Sequence, residues 1–157
     1  MKSLDTNILL YDINRDCAEY QVCREVVDQA LAEPDSWIVA DQVWFELYRL
    51  LRNPAILQKP LTSEQAVACI QWYRESSGWL QCAWEPALMK ELYPFWKNSA
   101  FPPRNIFDLK LAITLKSHGV KGFYTRNTKD FTDLDFFTLY NPLANSTQSH
   151  QYRNPNR

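Results

Sequence analysis

The sequence is poor in glycine and has no cysteine pair spaced for metal binding. Among its 157 residues there are three glycines, two histidines and four cysteines, with no Cys-x-x-Cys pair. The scarcity of glycine excludes a glycine-rich phosphate-binding loop. The cysteine spacing excludes a finger-type zinc site, and no Ser-His-Asp or Cys-His arrangement can be built from His118 and His150. We expect the thiols to be reduced and mostly buried.

The sequence also lacks an excess of charge of one sign and a long apolar run. Its formal net charge is -1, which disfavours a non-specific nucleic-acid coat but allows an enzyme that contacts nucleic acid at a local site. No segment approaches the roughly 18 apolar residues of a membrane span. The first residues do not form a signal-peptide pattern. We therefore expect a cytoplasmic protein with no membrane segment.

Short strand-like segments alternate with helical patterns along the chain. Helices are predicted between these segments, among them one over residues 87–93 that Pro94 ends or kinks. This alternation favours an α/β sandwich with a mainly parallel sheet. Ligands of such sheets bind beyond the carboxyl ends of the strands. The strand-like segments lie at residues 2–4, 36–40, 78–84, 120–125 and 136–143.

Two aspartates directly follow predicted strands. Asp5 separates the apolar start of the chain from Ile8 and its apolar successors, and Asp130 lies in the segment after the strand at 120–125. Both are expected at the edge of the sheet where ligands bind. Each also has a plainer interpretation. Asp5 is suited to cap the following helix, and Asp130 is suited to an ordinary turn.

Two further carboxylates interrupt apolar helical patterns. Glu46 lies in VWFELYRLL, and Asp108 lies in NIFDLKLAITL. Each shares a helix face with apolar residues, where a solvated acid is less usual. The plainer interpretations are an ion pair of Glu46 with Arg49 or Arg52, and a capping-box arrangement of Asp108 with Asn105.

The four acids are more informative together than singly. Several carboxylates in one partly buried place repel each other and raise each other's pKa. A hard divalent cation such as Mg²⁺ or Mn²⁺ relieves that repulsion because it prefers oxygen ligands. Such an ion also activates water and neutralises the charge of a phosphate.

The four acids lie in four distinctive stretches, which are LDTNILL at the start, Glu46 in its apolar helix, FDLKLAITLKSHG, and FYTRNTKDF followed by NPL. Together these stretches resemble the PIN domain, and especially the toxin ribonucleases of VapBC-type (type II) toxin–antitoxin pairs. The resemblance covers residues 1–143, which we take as one PIN-like nuclease domain followed by a polar tail over 144–157. It implies a three-layer α/β/α sandwich with a mainly parallel central sheet.

The resemblance also implies a catalytic and metal-binding quartet of Asp5, Glu46, Asp108 and Asp130. Asp5 and Asp108 would bind the principal Mg²⁺ or Mn²⁺, and the other two would complete that site or hold a second ion. The fourth position stays open, because Asn127 stands where many PIN proteins carry an acid. The positions that would support the site by hydrogen bonds are Thr6, Asn7, Thr125 and Asn127.

The activity implied by the resemblance is a metal-dependent endoribonuclease. A metal-activated water would attack the RNA phosphodiester in line and leave a 5′-phosphate and a 3′-hydroxyl. The resemblance further implies a homodimer that is silenced by a cognate small antitoxin protein. The alternative is a catalytically silent PIN-like module that binds RNA or protein. The long aromatic stretch 78–104 departs from the family and suggests an unusual substrate preference.

Overall fold

The structure, a computed structural model, describes residues 1–144. The predicted polar tail therefore lies outside the described residues from 145 onward. None of the helices in the described part has the length and apolar character needed to cross a bilayer. The strands are β1 (Lys2–Leu4), β2 (Ile38–Ala40), β3 (Leu80–Cys82), β4 (Gly122–Tyr124) and β5 (Thr138–Tyr140), and the helices are α1 (Thr6–Ile13), α2 (Tyr20–Ala32), α3 (Asp41–Leu51), α4 (Ser63–Glu75), α5 (Met89–Trp96) and α6 (Ile106–Ser117).

Every strand pairing in the described sheet is parallel. One group has the order β1-β4-β5, the other pairs β2 with β3, and a parallel bridge between Lys2 and Trp37 joins the two. The register pairs Leu4 with Tyr124. The α/β fold with a mainly parallel sheet, predicted from the alternation of segments, is thereby confirmed. The carboxyl ends of β1 and β4 lie side by side, and both precede predicted site residues.

The helices cover the sheet and bury two apolar clusters. Helix α1 packs on α2 and α3, while α5 packs on α6 and α6 contacts β2. The larger cluster centres on the sheet and includes the fully buried Leu4, Trp37 and Phe123. A smaller cluster under α5 and α6 includes Leu92 and Ile113. Helix α6 is apolar nearly all round because it is enclosed by the sheet on one side and by α5 on another.

Several local predictions are confirmed. Thr62 and Gln65 form the predicted capping box of α4. Gly119 follows the last helical turn of α6 with a φ of +76°, a conformation that glycine adopts without strain. The four thiols are free as predicted, but only Cys23 and Cys82 are buried, while Cys17 and Cys69 are partly exposed.

Two predicted elements differ in part from the structure. The helix predicted over residues 87–93, which Pro94 would end or kink, begins with a 3₁₀ turn at Pro86–Leu88 and continues as α5 through Pro94 to Trp96. The packing of Leu92 in the smaller cluster offsets the hydrogen bond that the proline ring removes. The stretch after β4 contains two 3₁₀ turns, Thr128–Asp130 and Thr132–Leu134, where we predicted only a loop.

A buried polar network joins α1, α2 and α4. Asp12 is 4% exposed and accepts a hydrogen bond from the Tyr73 hydroxyl. The Arg24 guanidinium lies 3.0 Å from Asp12 Oδ1 and 2.6 Å from Oδ1 of the exposed Asp28. Burial raises the pKa of Asp12, while the Tyr73 hydroxyl and Arg24 oppose that rise. The network thus gives a buried carboxylate a cationic partner and a hydrogen-bond donor and joins three helices to one another.

The Tyr73→Phe variant tests this network. Removal of the hydroxyl leaves Asp12 with Arg24 alone, and we expect the free energy of unfolding to fall by about 1–3 kcal/mol. Urea unfolding followed by circular dichroism measures the change. The matched control is Tyr93→Phe, on an exposed tyrosine of α5, which we expect to change stability by less than about 0.5 kcal/mol. Equal stabilities of the two variants would contradict the role given to the network.

Candidate functional site

Asp5 is a buried carboxylate at the junction of β1 and α1. It is 7% exposed. Its Oδ1 accepts a hydrogen bond from the Thr6 backbone N–H at 2.7 Å, so it is the N-cap of α1. Its Oδ2 accepts from Asn7 Nδ2 at 2.9 Å and from Thr125 Oγ1 at 2.5 Å. The capping interpretation is correct but incomplete, because the second oxygen is held independently from the end of β4.

The predicted supporting residues lie around this carboxylate. Asn7 Oδ1 accepts from the Arg126 backbone N–H at 3.1 Å, and Thr125 Oγ1 accepts from the Asn127 backbone N–H at 3.0 Å. Thr125 is fully buried. These bonds join the first turn of α1 to the segment after β4 and orient both oxygens of Asp5.

Glu46 is held from two helices. Its Oε2 accepts a hydrogen bond from Thr6 Oγ1 at 3.1 Å, and its Oε1 accepts from Gln42 Nε2 at 3.1 Å. No ion pair with Arg49 or Arg52 is found among the ion pairs of residues 1–144. The ion-pair interpretation of Glu46 is therefore wrong, since the side chain turns toward α1 and Asp5's neighbour Thr6.

Gln42 is a site residue that the sequence analysis missed. It is 7% exposed, and its Nε2 also donates to the Phe107 carbonyl at 2.9 Å. It thereby ties α3 to the first turn of α6, beside Asp108. Two acceptors contact this nitrogen, which assigns the orientation of the amide. The sequence feature that points to Gln42 is its position four residues before Glu46, on the same face of the helix.

Asp108 lies half-buried in the first turn of α6. Asn105 makes no side-chain capping bond to this helix, so the capping-box interpretation of Asp108 is wrong. The pKa of Asp108 is raised to about 6, first by burial and then by the charges of Asp130, Asp5 and Glu46, in that order. The negative charges of the other three predicted acids therefore all act on the Asp108 carboxyl.

Asp5 experiences a similar environment. Its pKa is raised to about 6, mainly by burial and also by the charge of Glu46, although the hydrogen bonds from Thr125, Thr6 and Asn7 lower it. Asp130 is exposed at the end of its 3₁₀ turn, and its backbone N–H donates to the Asn127 carbonyl at 3.1 Å. Asn127 thus lies between Thr125, which holds Asp5, and Asp130, which acts on Asp108.

The chemistry of this cluster fits a hard divalent cation. Its side-chain donors are carboxylate oxygens, which suit Mg²⁺ and Mn²⁺. In the described part of the chain, none of the four acids forms an ion pair with a basic side chain, so their negative charges repel one another. Within residues 1–144 no three His, Cys, Asp or Glu side chains are drawn together as a ready metal cage. The fit thus rests on donor type and on charge.

The basic residues near the cluster have different surroundings. Arg126 contacts Tyr11 and lies 3.5 Å from Glu19 Oε1, and the Lys110 ammonium lies 5.8 Å from the centre of the Trp84 ring. Lys129 is exposed beside Asp130. Within residues 1–144, Lys129 is the one of these three cations with neither an ion pair nor a ring contact, so it can meet a phosphate without giving up another partner.

The sequence matches proteins of known type, although no family model matches it. The chain is 37% identical over 144 residues to Ribonuclease VapC24 of Mycobacterium tuberculosis, in two strains. The match covers 92% of this chain and 98% of the relative. This identity over nearly the full length of both chains shows a common family.

Solved structures show the same fold. VapC20 of Mycobacterium tuberculosis, described as a sarcin-ricin loop cleaving toxin, superposes with a TM-score of 0.63 at 12% identity, over 85% of this chain and 95% of that one. FitAcB of Neisseria gonorrhoeae gives 0.61 at 19% identity over 90% and 98%. VapBC2 of Rickettsia felis, bound to a promoter DNA fragment, gives 0.58 at 18% identity over 89% and 97%. The full-length relative and the shared fold agree: this chain belongs to the VapC family of PIN-domain ribonucleases.

Proposed function

We propose that the protein is the toxin of a toxin–antitoxin pair and cuts RNA internally with the help of Mg²⁺ or Mn²⁺. The ribonuclease relative supports the reaction class. The observation that carries the metal dependence is the raised pKa of Asp108, which has burial and three other carboxylates as its causes. Such mutual repulsion is relieved by a cation.

Within this proposal, Asp5 and Asp108 hold the principal ion, and Glu46 and Asp130 complete the site or hold a second ion. Asp130 is favoured over Asn127 as the fourth residue, since Asp130 is the carboxylate with the largest influence on the pKa of Asp108. Asn127 then acts through its backbone, which contacts both Thr125 and Asp130.

The remaining polar residues orient these acids. Thr6 and Gln42 each donate to one oxygen of Glu46, while Asn7 and Thr125 both donate to Oδ2 of Asp5. A bound divalent ion supplies two chemical effects, the acidification of water and the neutralisation of phosphate charge. The protein supplies the fixed direction of the carboxylates.

The proposed biological setting follows from the structural relatives. One structural relative, from Klebsiella pneumoniae, is described as a toxin–antitoxin complex, and VapBC2 of Rickettsia felis was solved with a fragment of promoter DNA. We extend to this chain a small antitoxin partner, an RNA substrate, a homodimeric assembly, a cytoplasmic location and a nuclease domain over residues 1–143. The mass of the purified protein in solution tests the dimer, and co-purification with the product of a neighbouring small gene tests the antitoxin.

The first prediction concerns Asp5→Asn. Asparagine still caps a helix, so the fold is retained while one negative ligand is lost. We expect cleavage of labelled single-stranded RNA to fall about 100-fold or more. In the unmodified protein, cleavage should require Mg²⁺ or Mn²⁺ and stop in EDTA.

The matched control for Asp5→Asn is Asp35→Asn, which changes an exposed carboxylate in the turn between α2 and β2. Its cleavage should equal that of the unmodified protein. Cleavage that survives EDTA would contradict the metal dependence. RNA that is bound but never cut, by any preparation and with either metal, would favour the silent binding module.

A second prediction concerns the pH dependence of stability through Asp108. Its pKa is about 6 in the fold and about 4 in the unfolded chain. Below about pH 4, Asp108 is protonated in both the folded and the unfolded state and does not affect stability. As the pH rises from about 4 to about 6, ionisation favours the unfolded state, so the fold loses stability, and this loss is complete above that range. In the absence of metal at pH 7.5, the free energy of unfolding of Asp108→Asn should therefore exceed that of the unmodified protein. The expected difference is about 1 kcal/mol after allowance for solvent screening.

Thermal unfolding at pH 4 and pH 7.5, with and without Mn²⁺, measures this effect. The advantage of Asp108→Asn should vanish at pH 4. Added Mn²⁺ at pH 7.5 should stabilise the unmodified protein more than the variant. A ligand stabilises the folded state according to its affinity for that state, and the variant lacks one proposed carboxylate ligand. Equal stabilisation of both proteins by Mn²⁺ would place the ion elsewhere.

A third prediction concerns Gln42→Ala. The change frees Glu46 Oε1 and removes the tie to the Phe107 carbonyl. We expect cleavage and Mn²⁺ affinity each to fall about 10-fold. The control is Gln71→Ala, on the exposed side of α4. A loss of stability with unchanged Mn²⁺ affinity would show that Gln42 has a structural role only.

A further inference from the structure

A cavity opens directly beside the acidic cluster. Its volume is about 450 Å³, and Asp130, Lys129 and Leu109 are among its lining residues. Leu109 follows Asp108 in α6, so the cavity begins one residue beyond a proposed metal ligand. Cavities of about 300–1,000 Å³ are typical of sites for small organic groups. A phosphate at the acids would thus have this cavity as its neighbour.

The far wall of the cavity is aromatic and carries amides. Phe95 of α5 and Phe101 supply half-buried rings, and Asn98 and Asn105 supply side-chain amides. Asn98 Oδ1 accepts from the Ala100 backbone N–H at 3.0 Å, so what Asn98 offers a ligand is its Nδ2 donor group. The Asn105 side chain makes no capping bond to α6.

This combination suits a flat heteroaromatic group with hydrogen-bonding edges. Aromatic rings stack on nucleobases, and amides donate to and accept from base edges. Lys129 stands at the boundary between the cavity and the acids, where a backbone phosphate next to the bound base would lie. An apolar peptide side chain would use the rings but leave the amides without a role.

We propose that this cavity binds one unpaired nucleobase next to the phosphate that is cut. The proposal rests on the proposed ribonuclease function and names its substrate as RNA that is single-stranded, or unpaired in a loop, at the cut. A base held in a duplex cannot enter such a cavity without being flipped out of its stack. Residues 94–104 of this wall belong to the aromatic stretch 78–104, for which the sequence predicts an unusual substrate preference, and Asn105 follows it directly.

The experiment maps cleavage sites on a randomised single-stranded RNA pool for the unmodified protein and for the variants Phe101→Ala and Asn105→Ala. The unmodified protein should show a base preference at one position beside the cut. Each variant should weaken that preference, Phe101→Ala by about 5-fold or more because base stacking on the ring is lost. Tyr93→Ala is the control, since it removes an exposed ring of α5 that does not line the cavity, and it should keep the full preference.

A binding measurement decides the same question without relying on cleavage. A short single-stranded RNA containing 2-aminopurine is titrated with each protein in Ca²⁺. Stacking in the cavity should quench the fluorescence with the unmodified protein and with Tyr93→Ala, and quenching should be lost with Phe101→Ala. A second variant, Phe101→Leu, removes the ring but keeps the apolar packing. Loss of quenching in this variant therefore reports the loss of stacking and not misfolding.

The outcomes separate the two proposals. Quenching that depends on Phe101, without any cleavage, would support the base site and remove the nuclease function. Cleavage with one base pattern shared by all variants, together with equal quenching, would overturn the base site and leave the nuclease intact. Binding of a small protein partner that is lost in the variants, while the RNA results stay unchanged, would likewise overturn the base site and assign the cavity to that partner.

Discussion

The site depends on the hydrogen bond from Thr125 Oγ1 to Asp5 Oδ2, 2.5 Å long. It joins the residues that follow β1 and β4, which are neighbours because the parallel register pairs Leu4 with Tyr124. A shift of that register by one residue would turn Thr125 to the other side of the sheet. The sheet core, with Leu4 and Phe123 fully buried, therefore also fixes the geometry of the carboxylate.

Helix α1 and its N-cap carry two buried aspartates, Asp12 and Asp5, whose charges have different surroundings. Asp12 lies against the guanidinium of Arg24, so its charge is balanced within the protein. Asp5 receives hydrogen bonds from neutral donors only, and the charged group that most affects its pKa is Glu46, also an acid. The negative charge of Asp5 is thus oriented but not neutralised. That difference explains why one aspartate stabilises helix packing while the other is suited to hold a cation.

Much of this arrangement was predictable because the acids violate the apolar patterns around them. Asp5 and Glu46 were noticed for that reason, and the parallel sheet followed from the alternation of segments. Gln42 was missed because a glutamine in a helix resembles a solvated residue, and its contact with the Phe107 carbonyl is set by tertiary packing alone. Whether the helix ends at Pro94 or runs past it stayed open for the same physical reason, since local propensity does not report the packing of Leu92.

Chemistry and substrate choice are carried by different segments that meet at α6. Asp108 and Leu109 are successive residues, and an α-helix turns about 100° per residue, so one side chain joins the acids while the next lines the cavity. The opposite wall comes from residues 94–105, which contribute none of the four acids. Changes in that wall can therefore alter which base is accepted while the carboxylates keep their positions. Asp130 and Lys129 belong to both regions, which makes the 3₁₀ turn Thr128–Asp130 the place where a change in substrate choice would also affect the chemistry.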